Sequence, residues 1–547
     1  MAIERPHTGI EPQNRWWIVA CLGVLAWLAP PPCQAESIRV TLLQINDVYE
    51  LQARPGTPGG LARVAGLRAK LEQENPGHTF TILAGDALSP SALGMLNVDG
   101  EKLAGRQMVA SLRALGVDFA TFGNHEFDIT GDQFLARLRE SGSREETSGT
   151  AEMRRMYWFS DNVTDQAGNP FPGVTRELVL QVLGESGATL RIGVIGVTTS
   201  QNDPDYADFK NPVETARALA RKWHENKTCD VIIAVTHLTI EEDERLALAA
   251  PEISLILGGH EHEHSYTHRP SLAHPPIAKA DANVRTVYVH DLLYDTQSHQ
   301  LALSSRLEPV LPTLAEEPAT ARVVNDWMQR GLAAFEAQYK YKAADPVFVS
   351  PHDLEGRDGL VRSTPTNLTK LVCASMLEAA GPSTDAVVLN SGTIRIDDVI
   401  PAGPVTYYDL HQILPYDGDI MTGQVRGDLL KKILDRGAAI PQDGGFLQTA
   451  NIGGNTRQGW TVKGAPLDAS TYYNIATTAH FTGGVLKKFT DLELDKTSLI
   501  RERKTLMDQR VALIQYLKTN PKVEPPASHP NFVKEPIPHE PIILTLP

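Results

Sequence analysis

Short runs rich in Val, Ile and Leu recur between residues 37 and 291: SIRVTLLQIND, HTFTILAGD, VDFATFGNHE, LRIGVIGVTT, DVIIAVTH, ISLILGGHEHEH and VRTVYVHD. Each has the length of a strand, is nearly continuous in apolar residues and is closed by polar ones, the pattern of strands buried in a core. Between them, GGLARVAGLRAKLEQE and PVETARALARKWHEN space their apolar residues as helices do. Alternation of the two predicts an α/β core, in which ligands bind beyond the carboxyl ends of the strands. Here those ends carry Asp47, Asp86, Asn124, His125, His237, His260 and His262.

The texture changes after about Leu311. LPTLAEEPATARVVNDWMQRGLAAFEAQYKYKAA places Val323, Val324, Trp327, Met328, Leu332 and Phe335 at near-helical spacing, which predicts a helical connector over 316–344 with its apolar stripe against a domain. A second unit is expected over 345–520, where DAVVLNSGTIR reads as a buried strand and TLMDQRVALIQYLK as a closing amphipathic helix. Residues 521–547 are proline-rich and predicted to be extended over the surface or disordered. At the other end, Arg15 precedes the apolar run from Ile18 to Ala29, and Ala35 offers a small residue at a cleavage point. That run is shorter than the roughly 20 residues needed to span a bilayer, so 1–35 reads as a cleaved secretory signal and the mature chain as secreted or periplasmic.

Charge narrows the partners. Lys and Arg number 51 against 66 Asp and Glu, a net charge of −15. Such a surface attracts neither duplex nucleic acid nor anionic membrane, so an anionic substrate must be met by local positive charge. No later segment is long and apolar enough for a membrane span. Without the leader only Cys229 and Cys373 remain, which make no disulfide framework.

Any one of the strand-end residues alone reads as a turn residue, a helix cap or a hydrogen-bonded histidine. Five strand ends presenting carboxylate, amide oxygen and imidazole together point instead to a metal centre. Without thiolate the donors suit two divalent ions such as Mn, Zn, Co or Fe(II) rather than a structural zinc. Asp86 has two oxygens and could bridge ions about 3.5–4 Å apart, the spacing at which a pair of ions binds phosphate oxygens and activates water for in-line attack.

The ordered motifs IND, AGDALSPS, FGNHEFD, FSDN, THLTIEEDERLA and GGHEHEH resemble those of calcineurin-like metallophosphoesterases, and the chain is most similar to the 5′-nucleotidase family, which includes UDP-sugar hydrolases and cyclic phosphodiesterases. The resemblance implies a metallophosphoesterase β-sandwich flanked by helices over 36–315, then a second α/β domain that binds the nucleoside. It implies Asp47, Asp86 and His262 at one ion, and Asp86, Asn124, His237 and His260 at the other. It places His125 as the catalytic histidine beside the phosphate and Asp128 as its orienting carboxylate. In the second unit DAVVLNSGTIR, GGFLQTANIGG and YNIATTAHFTGG are similar to the family's C-terminal domain. Asn390 and Arg395 are suited to phosphate or ribose, and Phe446 and Phe481 to stacking a base or to plain core packing.

Four departures qualify the resemblance. The family's Asp-x-His after the first strand is Asp47, Val48, Tyr49 here, and Tyr49 ligates as phenolate, yields its place to water or Glu50, or packs. The family's Arg-Glu pair is replaced by Thr364 and Pro365, and its Pro-Phe-Gly-Asn by Pro415, Tyr416, Asp417 and Gly418. An aspartate expected after Gly484 is Val485. The reading is a dimetal phosphoester hydrolase releasing phosphate from nucleoside 5′-monophosphates or related nucleotides. The alternatives are a relative acting on cyclic nucleotides, UDP-sugars or a protein-bound sulfonate, and a catalytically impaired nucleotide-binding protein.

Overall fold

The computed structural model describes residues 36–142, 154–202, 204–268, 274–486, 501–519, 521–527 and 541–546. The expected secretory signal lies outside them.

Two sheets face each other in the first unit. The eight-stranded sheet runs in the order Ile542–Leu546, Leu301–Pro309, Thr286–Asp295, Ser37–Ile45, Thr79–Ala84, Phe119–Thr121, Tyr157–Phe159, Val174–Thr175. The six-stranded sheet runs Ser265–Thr267, Ile277–Lys279, Leu255–Gly258, Val231–His237, Thr189–Thr198, Leu178–Leu183. Val40, Leu42, Ile82 and Phe159 from one meet Ile192, Val194, Ile233, Val235 and Leu257 from the other in a fully buried core. Helices Leu61–Glu74 and Arg106–Leu115 cover the outer face of the first sheet, and Pro212–Glu225 and Ile240–Ala249 that of the second. Strands covered on both faces have no solvent side on which to alternate, which explains their continuous apolar runs. Within each sheet the central strands pair in parallel, so their carboxyl ends gather at one edge.

The helix Pro318–Tyr339 forms where its spacing predicts it, with Pro318 in its first turn and the Glu317 carboxylate accepting from Ala319 N and Thr320 N. It is built into the first unit: Val324, Trp327 and Phe335 complete that unit's core, and Thr320 donates to the Ala114 carbonyl at 3.0 Å. Its end carries an aromatic joint to the second unit, where Tyr341 stacks on Tyr407 with centroids 3.8 Å apart and Phe335 meets His411 edge-on at 4.7 Å.

The second unit holds a five-stranded sheet in the order Leu447–Ala450, Ala386–Asn390, Tyr472–Thr478, Asp419–Arg426, Arg501–Asp508. The closing helix is shorter than its pattern predicts. Residues 505–508 belong to the edge strand, and the helix is Gln509–Leu517, capped by Asp508. Pairing with Asp419–Arg426 claims the backbone of that stretch. Of the proline-rich tail, Ile542–Leu546 is an ordered strand that returns to the first unit and pairs with Leu301–Ser305. Leu544 and Leu546 pack on the inter-sheet core.

Candidate metal centre

The parallel strands end in turns that few side chains tolerate. Asp47, Asp86, His260 and His262 all adopt positive φ, at 52°, 58°, 89° and 62°. Non-glycine residues avoid that region, and such strain concentrates at ligand clamps. Glycines make the turns close enough: a Cβ on Gly123 would lie 2.1 Å from Asp86 Oδ1, and one on Gly259 would lie 2.5 Å from the Ala84 carbonyl and 2.8 Å from His237 Nδ1.

This geometry buries a compact donor set. Asp47, Asp86 and His237 offer atoms within 4.8 Å of one another, all from side chains with at most 1% of their surface exposed. His237 donates Nδ1–H to the Ala84 carbonyl at 2.8 Å, which turns Nε2 toward Asp86 Oδ2 at 3.2 Å and Asp47 Oδ1 at 3.8 Å. That Nε2 is buried and makes no hydrogen bond. Asn124 Oδ1 lies 3.1 Å from His260 Nδ1. Asp47 Oδ2 accepts from Asn46 Nδ2 at 2.8 Å and His260 N at 2.9 Å, leaving Oδ1 toward the cluster. Asp47, Asp86 and His237 thus come together with the Asn124–His260 pair beside them, and His262 Nε2 lies 3.4 Å from Asp47 Oδ1.

Electrostatics make the same point. Burial pushes the Asp47 carboxyl up, but His237 and His262 outweigh it and bring it down to about 2. Burial opposes charge on His237 as well, yet Asp86 and Asp47 lift it to about 9. Two buried carboxylates demand nearby cationic charge, supplied by protonated imidazoles or by a metal ion. An orphaned imidazole nitrogen facing two carboxylates fits an ion in that place. Residues Asp47, Asp86, Asn124, His237, His260 and His262 fit the metals their chemistry suggests.

His125 and Asp128 sit beside this set. Asp128 Oδ2 lies 2.7 Å from His125 Nδ1, and Asp128 is itself held by Asn202 at 2.6 Å, Tyr416 at 2.8 Å and Ser89 at 3.2 Å. His125 N donates to Asp86 Oδ1 at 2.8 Å. From the second unit, Arg395 Nη2 reaches His125 Nε2 at 2.8 Å. Tyr416, which stands where the family has phenylalanine, is thus a hydrogen-bonding part of the site.

The other substrate-side expectations separate. Asn390 directs its Nδ2 to the Gly444 carbonyl at 3.2 Å and accepts from Thr393 at 3.0 Å, so its amide holds the loop before Phe446. Phe446 is half-buried in that loop. Phe481 is fully buried among Val388, Leu430 and Ile433, which corrects the stacking expectation to the core alternative. His264, two residues past His262, is buried with its Nδ1 at 3.1 Å from both Asp281 oxygens.

Several site residues escaped sequence reasoning. Buried Glu126 accepts from the backbone N–H of Asp86, Ala87, Leu88 and Gly123, tying the AGD and GNH turns together. Its only signal was a carboxylate set between His125 and Phe127 in FGNHEFD. Lys279 is buried beneath GGH, donating to the carbonyls of Leu238 at 2.7 Å and Gly259 at 2.9 Å and pairing with Asp243 and Glu261. Asp397 and Asp358 reach across from the second unit to His262 Nδ1, at 3.4 and 3.5 Å.

A two-sheet sandwich with oxygen and imidazole donors collected at its parallel strand ends defines a metal-dependent phosphoric ester hydrolase. Residues 40–264 match the calcineurin-like phosphoesterase family and residues 347–491 the 5′-nucleotidase C-terminal domain, and the chain belongs to the 5′-nucleotidase family that joins the two. Among curated relatives, a 5′-nucleotidase of Vibrio vulnificus is 25% identical over 494 residues, 79% of this chain and 82% of its own. Among solved structures, a 5′-nucleotidase precursor from Thermus thermophilus covers 90% of this chain and 98% of its own at TM-score 0.72 and 20% identity. The sulfate thiohydrolase SoxB of Thermus thermophilus covers 90% of this chain and 96% of its own at TM-score 0.66 and 16% identity. Likeness at such identity speaks for the shared fold. Among the described residues no helix is long and apolar enough to cross a membrane.

Proposed function

We propose that the chain hydrolyses nucleoside 5′-monophosphates or related nucleotides at a pair of metal ions held by Asp47, Asp86 and His262 on one side and Asp86, Asn124, His237 and His260 on the other. The observation that carries this reading is the convergence of these six donors directly beneath the His125–Arg395 contact. Bound ions would supply Lewis acidity toward the phosphate oxygens and an activated water.

This chain's residues do the rest. Asp128 accepts from His125 Nδ1–H and so fixes the tautomer, leaving Nε2 toward the space beside the donors. Arg395 shares that space, and a phosphate entering it would replace His125 as the guanidinium's partner, in a charge-assisted hydrogen bond. A protonated His125 can then donate from Nε2 to the developing charge on the phosphoryl or leaving oxygen. Phe446 is the remaining candidate for stacking the base. The leader over 1–35 supports export to the periplasm or beyond, tested by sequencing the mature N-terminus.

Chelator-stripped protein should lose turnover of nucleoside monophosphates and of p-nitrophenyl phosphate, and regain it when ions return. Full activity after stripping would overturn the metal mechanism. Turnover of p-nitrophenyl phosphate with none of any nucleotide, cyclic nucleotide or UDP-sugar would overturn only the substrate assignment.

A further inference from the structure

The place that the family fills with histidine is filled by the Tyr49 hydroxyl. The side chain is buried, its backbone N–H is anchored on Asn283 Oδ1 at 2.9 Å, and its oxygen stands 2.9 Å from Asp86 Oδ2, 3.1 Å from His262 Nε2 and 3.3 Å from Asp47 Oδ1. His262 Nε2 is in turn 3.4 Å from Asp47 Oδ1. Donors about 2.1 Å from one ion lie about 3.0 Å apart at right angles and about 3.4 Å apart at the tetrahedral angle. Four separations among these atoms, from 2.9 to 3.4 Å, match those of donors to one ion. Glu50, the alternative occupant, turns away to Gln412.

Without an ion, the phenol donates to Asp86 and accepts from a protonated His262, which leaves Asp47 Oδ1 without the phenol's proton. A phenol has one proton to donate, and its oxygen here faces two carboxylates and an imidazole nitrogen. A cation among the four would engage every one of them.

We infer that Tyr49 is a direct phenolate ligand of the first metal site and that it shifts this site from a divalent ion toward a hard trivalent ion, with ferric iron as the representative. The inference rests on the metal-centre reading above. On binding, a metal–oxygen bond forms and the phenolic proton leaves to solvent. No redox step is needed when the ion is supplied as ferric. Charge sets the preference. Exchanging neutral imidazole for phenolate makes three anionic side chains, Asp47, Asp86 and Tyr49, in a place almost sealed from water, where unbalanced charge is costly. One more negative ligand is matched by one more positive charge on the ion, and phenolate and carboxylate oxygens are hard donors that favour it.

The test uses the full mature chain, stripped with chelator and reloaded with ferric salt, Mn(II) or Zn(II). Ferric-loaded protein should be coloured by a broad phenolate-to-iron absorption band, with resonance-enhanced phenolate vibrations in the Raman spectrum. Tyr49→Phe should abolish the band and lower the bound iron while still retaining an ion at the second site. Tyr49→His should also lack the band and should hold Mn(II) or Zn(II) more tightly at limiting metal than the natural chain does. Thermal unfolding of each variant controls for folding, and the natural chain's own Raman spectrum decides the matter if a variant does not fold. Metal retained without any phenolate signature, or a band unchanged in Tyr49→Phe, would overturn the inference and leave the metal centre standing. Protein that retains no ion of any kind would overturn the metal-centre reading itself.

Discussion

Gly123→Ala isolates how tightly the fold must hold the Asp86 carboxylate. The added methyl would stand 2.1 Å from Asp86 Oδ1, 2.7 Å from Asp86 Cγ and 2.7 Å from Asp86 N. Ordinary C···O approach stops near ~3.3 Å, so the two must part by roughly 1.2 Å. Neither neighbour can yield cheaply. Asp86 is fully buried and anchored through His125 N at 2.8 Å, while Gly123 N is tied to Glu126 at 2.5 Å. Metal–ligand distances tolerate only about ±0.2 Å, so a shift of that size would take Asp86 out of the coordination proposed for it. Overpacking of this kind costs about 1–3 kcal/mol of stability, which leaves a large domain folded. The expected outcome is a folded protein that has lost at least one bound ion and more than about 100-fold in turnover of p-nitrophenyl phosphate, in line with the steep sensitivity of positioned catalytic groups. Gly142→Ala, where an added Cβ meets nothing within 4 Å, is the control and should behave as the natural chain does. A Gly123→Ala protein with full metal content and turnover within threefold would refute the reasoning.

Three further outcomes are expected. His125→Ala should depress turnover of both nucleotides and p-nitrophenyl phosphate. Phe446→Ala should reduce nucleotide turnover selectively, because stacking a base is worth roughly 1–3 kcal/mol; equal losses on both substrates would mark Phe446 as structural. Stability should also fall in mild acid through His290, which burial holds down to about 3 between Ser305 and Gln44. The unfolded chain takes up that proton below its ordinary value near 6.5 and the folded one does not, so stability present above pH 6.5 is lost as pH drops toward 3. The loss reaches about 2 kcal/mol by pH 5. Urea unfolding at pH 8 and pH 5 checks this, and a His290→Gln variant whose stability falls just as steeply would remove His290 from the account.

Much of the metal centre was legible along the chain because each donor is covalently next to a strand that announces itself. An apolar run that stops at Asp47, Asp86, Asn124 or His237 gives both the strand and the residue at its carboxyl end, and parallel pairing then leaves such ends little choice but to share an edge. Tyr49 was visible as a departure for the same reason. Its consequence was not, because whether a phenol packs or faces Asp86 and His262 depends on segments far away in sequence.

What the sequence determined by itself was the local grammar: the buried strands, their order, the donors at their ends, and the helix Pro318–Tyr339 with its apolar stripe. Long-range partners decided the rest. Residues 505–508 look helical alone but complete a sheet edge, and Ile542–Leu546, within a proline-rich tail, becomes a strand because Leu301–Ser305 offers an open edge. Glu126 acquires its role from backbone N–H groups of a loop about 40 residues away, and Phe481 is core because Leu430 and Ile433 close over it. Arg395 and Asp397 meet His125 and His262 only once the second unit docks. Periodicity reports which face of an element is buried, whereas hydrogen bonds and ion pairs between distant segments depend on a docking geometry that no local pattern encodes.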